Sequence, residues 1–180
     1  MTPAGDASQL RVLYLSDVSA PRVNGVSTSI AVFRRELEAR GHAVPLVTPR
    51  YGDEPEEAGI YRVPGLRVPF DPEDRFVLPG QFTAIARALE FDLVHVQTPF
   101  SAHLAGRRLA RERRVPLVET WHTDFEHYFE HYLPLVPAGL ARALARRLAV
   151  RVGAAVDHLV VPSPDVDVAL REYGITTPRT

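Results

Sequence analysis

Leu10-Arg-Val-Leu-Tyr-Leu-Ser16 is a short apolar run without helical spacing, and turn residues follow it through Gly25. A run of that kind bounded by turn signals predicts a buried strand. From 27 to 40 the apolar positions Ile30, Val32, Phe33 and Leu37 fall near helical spacing. Gly41 stands just past the end of that pattern, where a left-handed cap is needed. Ala43-Val-Pro-Leu-Val-Thr48 is strand-like again. Strand, helix, strand in this order implies two parallel strands joined by a right-handed crossover.

The alternation continues outward from this opening. An acidic, Pro- and Gly-rich stretch at 49–59 reads as loop, 60–63 as a shorter strand, and the Pro-rich stretch up to Gly80 as loop again. Residues 81–89 read as helix, and Asp92-Leu-Val-His-Val-Gln97 as a strand that ends at Thr98-Pro99, a dipeptide that favours leaving regular structure. A helix at 102–113 feeds the strand Pro116-Leu-Val-Glu-Thr-Trp121. Beyond an aromatic segment, 138–155 reads as a helix with Leu140, Leu144, Leu148 and Val152 on one face. His158-Leu-Val-Val-Pro162 is a last strand, and 165–173 a last helix closed by Gly174. The expected fold class is α/β: one Rossmann-like, doubly wound parallel sheet over residues 1–180. Ligands of such sheets sit outside the carboxyl ends of the strands, where strand order reverses. That rule singles out three segments, 17–27, 98–101 and 122–131.

Composition narrows the function classes. The chain has 180 residues, is 46% hydrophobic and carries a formal net charge of −1, enough to bury one core and too little positive charge for general nucleic-acid binding. It has no cysteine, hence no disulfide framework, thiolate metal site or thiol nucleophile. A reducing cytoplasm fits that absence, as does any protein that simply avoids the residue. Residues 1–9 are polar and lack the basic start and apolar core of a signal peptide. No apolar run nears the roughly 20 residues that span a bilayer, so membrane contact is expected to be peripheral. Arg142, Arg146, Arg147 and Arg151 flank the Leu face of the 138–155 helix. That helix either rests on anionic lipid or docks on the sheet by its Leu side with its arginines in water.

Three motifs could carry chemistry. Asn24-Gly25-Val26-Ser27-Thr28-Ser29 lies between the first strand and first helix, where free amides and the positive end of the helix dipole favour an anion. An ordinary helix cap by Asn24 or Ser27 explains the same residues. The three spaced glycines of the dinucleotide fingerprint are missing, which disfavours nicotinamide or flavin binding. His122, inside Glu119-Thr-Trp-His-Thr-Asp124, directly follows a strand, where an imidazole could meet a sugar hydroxyl or a developing anion. A structural histidine is the plainer alternative, and Glu119 and Asp124 are carboxylates available as base, nucleophile or cap. His127-Tyr-Phe-Glu-His131 matches the inverted zinc-protease pattern, with His127, Glu130 and His131 as the candidate set. A third ligand has no recognisable motif downstream, where Glu172, His158 and a few Asp are the options.

Taken in order, Pro21-Arg-Val-Asn-Gly-Val-Ser-Thr-Ser-Ile30, Gly41-His42, Val47-Thr48-Pro49, His95-Val-Gln-Thr-Pro-Phe100 and Thr120-Trp-His-Thr-Asp-Phe-Glu-His-Tyr128 resemble the N-terminal half of family 4 retaining glycosyltransferases. Within that family the resemblance is to the diacylglycerol glucosyltransferase and lipid-linked mannosyltransferase branch. It implies one half of a GT-B fold, the acceptor-side domain, with no metal required. It further implies hexosyl transfer with retention from a nucleoside-diphosphate sugar, UDP-glucose or GDP-mannose, to a lipid or other hydroxyl acceptor. Asn24, Gly25 and Val26 would approach the donor diphosphate. His122 would contact the transferred sugar, and Thr98, Thr123, Asp124 and Tyr128 would shape the acceptor pocket. The implied location is the cytoplasm, peripherally on the inner face of the membrane.

The family's donor-site signature, two Glu separated by seven residues beside a basic pair, belongs to a second domain and is not found here. The expectation is therefore a donor-binding C-terminal partner domain, without which this chain has little or no transferase activity. Two other readings stand beside it: a stand-alone glycan- or lipid-binding module, and a zinc hydrolase through His127, Glu130 and His131.

Overall fold

The computed structural model describes residues 9–68, 71–123, 125 and 136–180. Its centre is a six-stranded, all-parallel sheet of β1 (Val12–Leu15), β2 (Leu46–Pro49), β3 (Ile60–Val63), β6 (Leu93–Val96), β7 (Leu117–Thr120) and β8 (His158–Val160). The order is β3-β2-β1-β6-β7-β8, so strand order reverses between β1 and β6. Between β3 and β6 the chain adds an antiparallel pair, β4 (Leu66–Val68) and β5 (Asp71–Phe76).

Alternation along the strands sorts side chains onto two faces. On one, Leu13, Leu15, Val47, Val63, Val94, Val96, Leu117 and Leu159 form the larger core with four helices. These are α2 (Pro79–Ala86), α3 (Ser101–Arg113), α4 (Ala138–Gly153) and α5 (Pro164–Glu172). On the other, Val12, Tyr14 and Leu46 pack with Ile30 of α1 (Gly25–Ala39). The sheet is doubly wound, as the strand and helix alternation predicts. Gly41 and Gly174 have positive φ of 87° and 78°, the left-handed region that lets α1 and α5 stop where glycine follows.

Two local expectations fail. The Pro-rich stretch before Gly80 contains the β4–β5 hairpin rather than loop alone, because its charges are matched: Arg22 forms ion pairs with Asp71, Glu73 and Asp74. Pro72 and four charged residues in β5 mask any strand pattern. The helix at 138–153 docks chiefly by its alanines, with Leu148 alone of the three leucines packed against the core. Ala141, Ala145, Ala149 and Val152 are buried, whereas Leu140 and Leu144 are 54% and 41% exposed. Alanines every fourth residue form the stripe that packs into the core, which turns the next stripe outward.

Candidate functional site

The crevice at the carboxyl ends of β1, β6 and β7 is built on one carboxylate. Asp17, the second residue after β1, is buried, and its backbone N–H donates to Thr98 Oγ1 at 2.8 Å. Thr98 Oγ1 donates back to Asp17 Oδ2 at 2.7 Å, and the Ala102 amide in the first turn of α3 donates to the same oxygen at 3.1 Å. Burial pushes the Asp17 carboxyl up to about 6, against the hydrogen bonds from Thr98 and the α3 amides, which favour its charged form.

The loop leaving β1 is tied down on its other side. Ser19 Oγ accepts from Thr48 Oγ1 at 2.8 Å and from Arg62 Nη1 at 2.9 Å. With its start and middle fixed, the loop delivers Asn24 to the head of α1. There Asn24 and Ser27 form a reciprocal capping box: Ser27 N–H donates to Asn24 Oδ1 and Asn24 N–H donates to Ser27 Oγ, each at 2.9 Å. The box occupies the Asn24 side chain, which leaves the first-turn amides of Gly25 and Val26 as donors it does not use. A Cβ built on Gly25 would meet no protein atom within 4 Å, so the space over this helix end is open.

Across the switch point, β6 and β7 align two polar pairs on one face. His95 Nε2 lies 2.8 Å from Thr120 Oγ1, and two residues further along, His122 Nε2 lies 3.4 Å from Gln97 Oε1. His95, buried edge-on against Tyr14 with ring centroids 4.8 Å apart, is pushed down to about 3 by burial and then by His122. Burial also lowers His122, so both imidazoles are neutral at pH 7. On the opposite face Glu119 Oε2 meets His103 Nδ1 of α3 at 2.6 Å; burial raises the Glu119 carboxyl against the pull of that histidine.

His122 and Thr123 open onto a cavity of about 370 Å³ shared with Trp121, Asp165, Val166 and Tyr173. Aromatic and aliphatic walls with a few polar groups at one side suit an organic ligand rather than a metal ion. Among the described residues no group of three or more His, Asp or Glu stands placed to hold a metal.

The structure thus gathers His122 and Thr123 at the cavity, Thr98 beneath the crevice with its hydroxyl engaged by Asp17, and Asn24, Gly25 and Val26 at the α1 terminus. Asp124, Tyr128, His127, Glu130 and His131 lie outside the described residues. Two buried residues escape a sequence reading: Asp17 and Gln97. Gln97 directly follows β6 and Asp17 is the second residue after β1, and that position is the signal they give.

The chain matches the profile of Glycosyltransferase Family 4 over residues 23–180. It belongs to glycosyltransferase family 4. The alpha-monoglucosyldiacylglycerol synthase of Streptococcus pneumoniae is 34% identical over 171 residues, covering 92% of this chain and 38% of that protein. The GDP-mannose-dependent alpha-mannosyltransferase of Corynebacterium glutamicum is 30% identical over 130 residues, covering 68% and 32% respectively. The family 4 chain thus spans about a third of the length of the curated relatives it matches. Among solved structures, sucrose-phosphate synthase from Thermosynechococcus elongatus superimposes with a TM-score of 0.69 at 14% identity, over 96% of this chain and 47% of that one. Starch synthase IV from Arabidopsis thaliana gives 0.58 at 12% identity, over 96% and 51%. The family 4 chain has the Rossmann-like sheet that forms one half of a GT-B fold.

Proposed function

We propose that this chain is the acceptor-side domain of a retaining hexosyltransferase. It works with a donor-binding C-terminal domain, taking the sugar from UDP-glucose or GDP-mannose and passing it to a lipid hydroxyl. The observation that carries the reading is the convergence of an open helix terminus and a neutral, half-buried histidine on the two sides of one strand-order reversal. The Gly25 and Val26 amides, at the positive end of α1, would receive the donor diphosphate and stabilise the charge that grows on it as the glycosidic bond breaks. That role needs no metal. His122 would hydrogen-bond the transferred hexose. Thr123 at the cavity, together with Asp124 and Tyr128 next along the sequence, would shape the acceptor side, and Thr98 would hold the crevice floor.

The lipid acceptor is supported by the naming of the S. pneumoniae relative as a diacylglycerol glycoside synthase and by α4. Its exposed stripe sets Leu140 and Leu144 beside Arg147 and Arg151, the pairing of apolar and basic groups that suits an anionic membrane surface. Among the described residues no helix is long and apolar enough to cross a membrane, so on this reading contact is by the face of α4, at the inner leaflet.

The test is transfer of radiolabelled glucose or mannose from UDP-glucose or GDP-mannose to diacylglycerol in mixed micelles. It is run on the 180-residue chain and on the same chain joined to the donor-binding half of a family 4 relative. Label in the lipid phase with the joined protein, and none with the chain alone, is the expected result. Label with the chain alone overturns the dependence on a second domain. Label in neither, with the joined protein folded, overturns the transferase reading.

A further inference from the structure

Gln97 is the puzzle of the crevice. Its side chain is 0% exposed, yet among the described residues its amide Nε2 has no hydrogen-bond partner. An orphaned buried donor costs on the order of 1–3 kcal/mol, and an apolar side chain of the same shape would avoid that cost. What the amide does do is turn Oε1 to His122 Nε2, at 3.4 Å. The contact repeats the one directly below it, His95 to Thr120, on the same face and with the same offset between strands. The lower contact is to a hydroxyl, which can donate or accept and so accommodates either tautomer of His95. The upper one is to a carbonyl oxygen, which only accepts.

We infer that Gln97 is a positioning residue for His122: its carbonyl holds the imidazole in the tautomer that carries hydrogen on Nε2, leaving Nδ1 as the lone-pair nitrogen. The second ring nitrogen of a histidine is set by the bond the first one makes. A neutral His122 with a fixed acceptor at Nδ1 takes a hydrogen bond from a hydroxyl of the ligand, whereas the other tautomer would present a donor there. The buried amide therefore decides which polarity of ligand group His122 receives. Its orphaned N–H is the stability given up for that orientation.

The inference rests on the transferase reading only for its kinetic arm. The structural arm is nitrogen NMR of the His122 ring, assigned by comparison with His122→Ala. The native chain is expected to show the Nε2–H tautomer alone. Gln97→Met, nearly equal in volume, is expected to show a mixture of both tautomers with an unchanged or higher melting temperature, since the orphaned donor goes with the amide. In the joined transferase, Gln97→Met is expected to lower kcat about tenfold, which is ~1.4 kcal/mol of barrier, with a smaller change in KM. Should Met disturb the packing, Gln97→Leu serves as the second variant. A native Nδ1–H tautomer, or a tautomer that Gln97→Met and Gln97→Leu leave unchanged, overturns the inference whether or not transfer is ever observed. Tautomer mixing in an inactive joined protein would sustain it while removing the proposed reaction.

Discussion

Asp17 and Thr98 exchange two hydrogen bonds across the gap between β1 and β6: the Asp17 amide donates to the Thr98 hydroxyl, which donates in turn to the Asp17 carboxylate. The pair fastens the loop that carries Asn24 and Gly25 to the strand end that carries Gln97. Its acid is held at about 6 where an unburied aspartate stands at 3.8. A carboxyl raised in the fold contributes stability that is complete below about pH 4 and is lost as pH rises through about 6. Asp17→Asn mimics the protonated form. Urea unfolding at pH 4 to 7 should show the two proteins closest at pH 4 and the Asn variant gaining on the native chain as pH rises, by at most about 3 kcal/mol. A gap that is constant with pH would show that Asp17 is charged throughout.

Gly25 separates fold from function in a single position. A methyl there meets no protein atom within 4 Å, and alanine is a better helix former than glycine. Gly25→Ala should therefore leave the melting temperature unchanged or slightly raised. In the joined transferase it should raise KM for the sugar nucleotide several-fold, because the methyl occupies the approach to the diphosphate amides. Unchanged donor kinetics would place the diphosphate elsewhere.

His122→Ala should cost about 100-fold in kcat, the lower end of what a positioned hydrogen-bonding or acid–base side chain supplies, with little change in unfolding temperature. The measurement pairs single-turnover transfer with calorimetry. A loss of stability that matches the loss of activity would make the histidine a packing residue.

Gly106 in α3 gives the opposite result to Gly25. A Cβ there would stand 2.5 Å from Val96 Cγ2, beneath the strand that ends in Gln97. Overpacking of a core costs about 1–3 kcal/mol and exceeds the helix-propensity gain of about 1 kcal/mol. Gly106→Ala is expected to lower stability in denaturant titration; a gain would mean that α3 shifts freely on the sheet.

Leu140→Ser together with Leu144→Ser should leave folding intact, because both side chains face solvent, and should weaken sedimentation with vesicles containing phosphatidylglycerol by about tenfold, roughly two buried leucines' worth after partial insertion. Equal sedimentation of both proteins would remove α4 from the membrane reading. On the same preparations, elemental analysis addresses His127, Glu130 and His131: zinc well below one atom per chain is expected, and stoichiometric zinc lost with His131→Ala would revive the hydrolase.

What the sequence makes legible follows its periodicity. Parallel strands announce themselves as apolar runs because both faces are covered, and Gly41 and Gly174 mark helix ends because left-handed backbone disfavours a side chain there. The hairpin at β4 and β5 is hidden since the charges of β5 are matched by Arg22, about fifty residues upstream, which no local pattern registers. The face of α4 is misread for a similar reason. Leu140, Leu144 and Leu148 make the more apolar stripe, but the buried stripe is the one that carries Ala141, Ala145 and Ala149. At the site, His122 and Asn24 are found by position relative to strand and helix ends. Gln97 is not, because its importance lies in an amide that has no partner among the described residues, a property of the packed molecule.

Residues 178–180 add one short parallel segment along the open side of β8. Leu159 N–H donates to Pro178 O, Thr180 N–H to Leu159 O and Val161 N–H to Thr180 O. Parallel sheets are vulnerable at their margins, where bare backbone can recruit a strand from another molecule. Here residues 178–180 occupy that margin, so substitutions that pull this segment away from β8 would bare the backbone of Leu159 and Val161 as a template for aggregation.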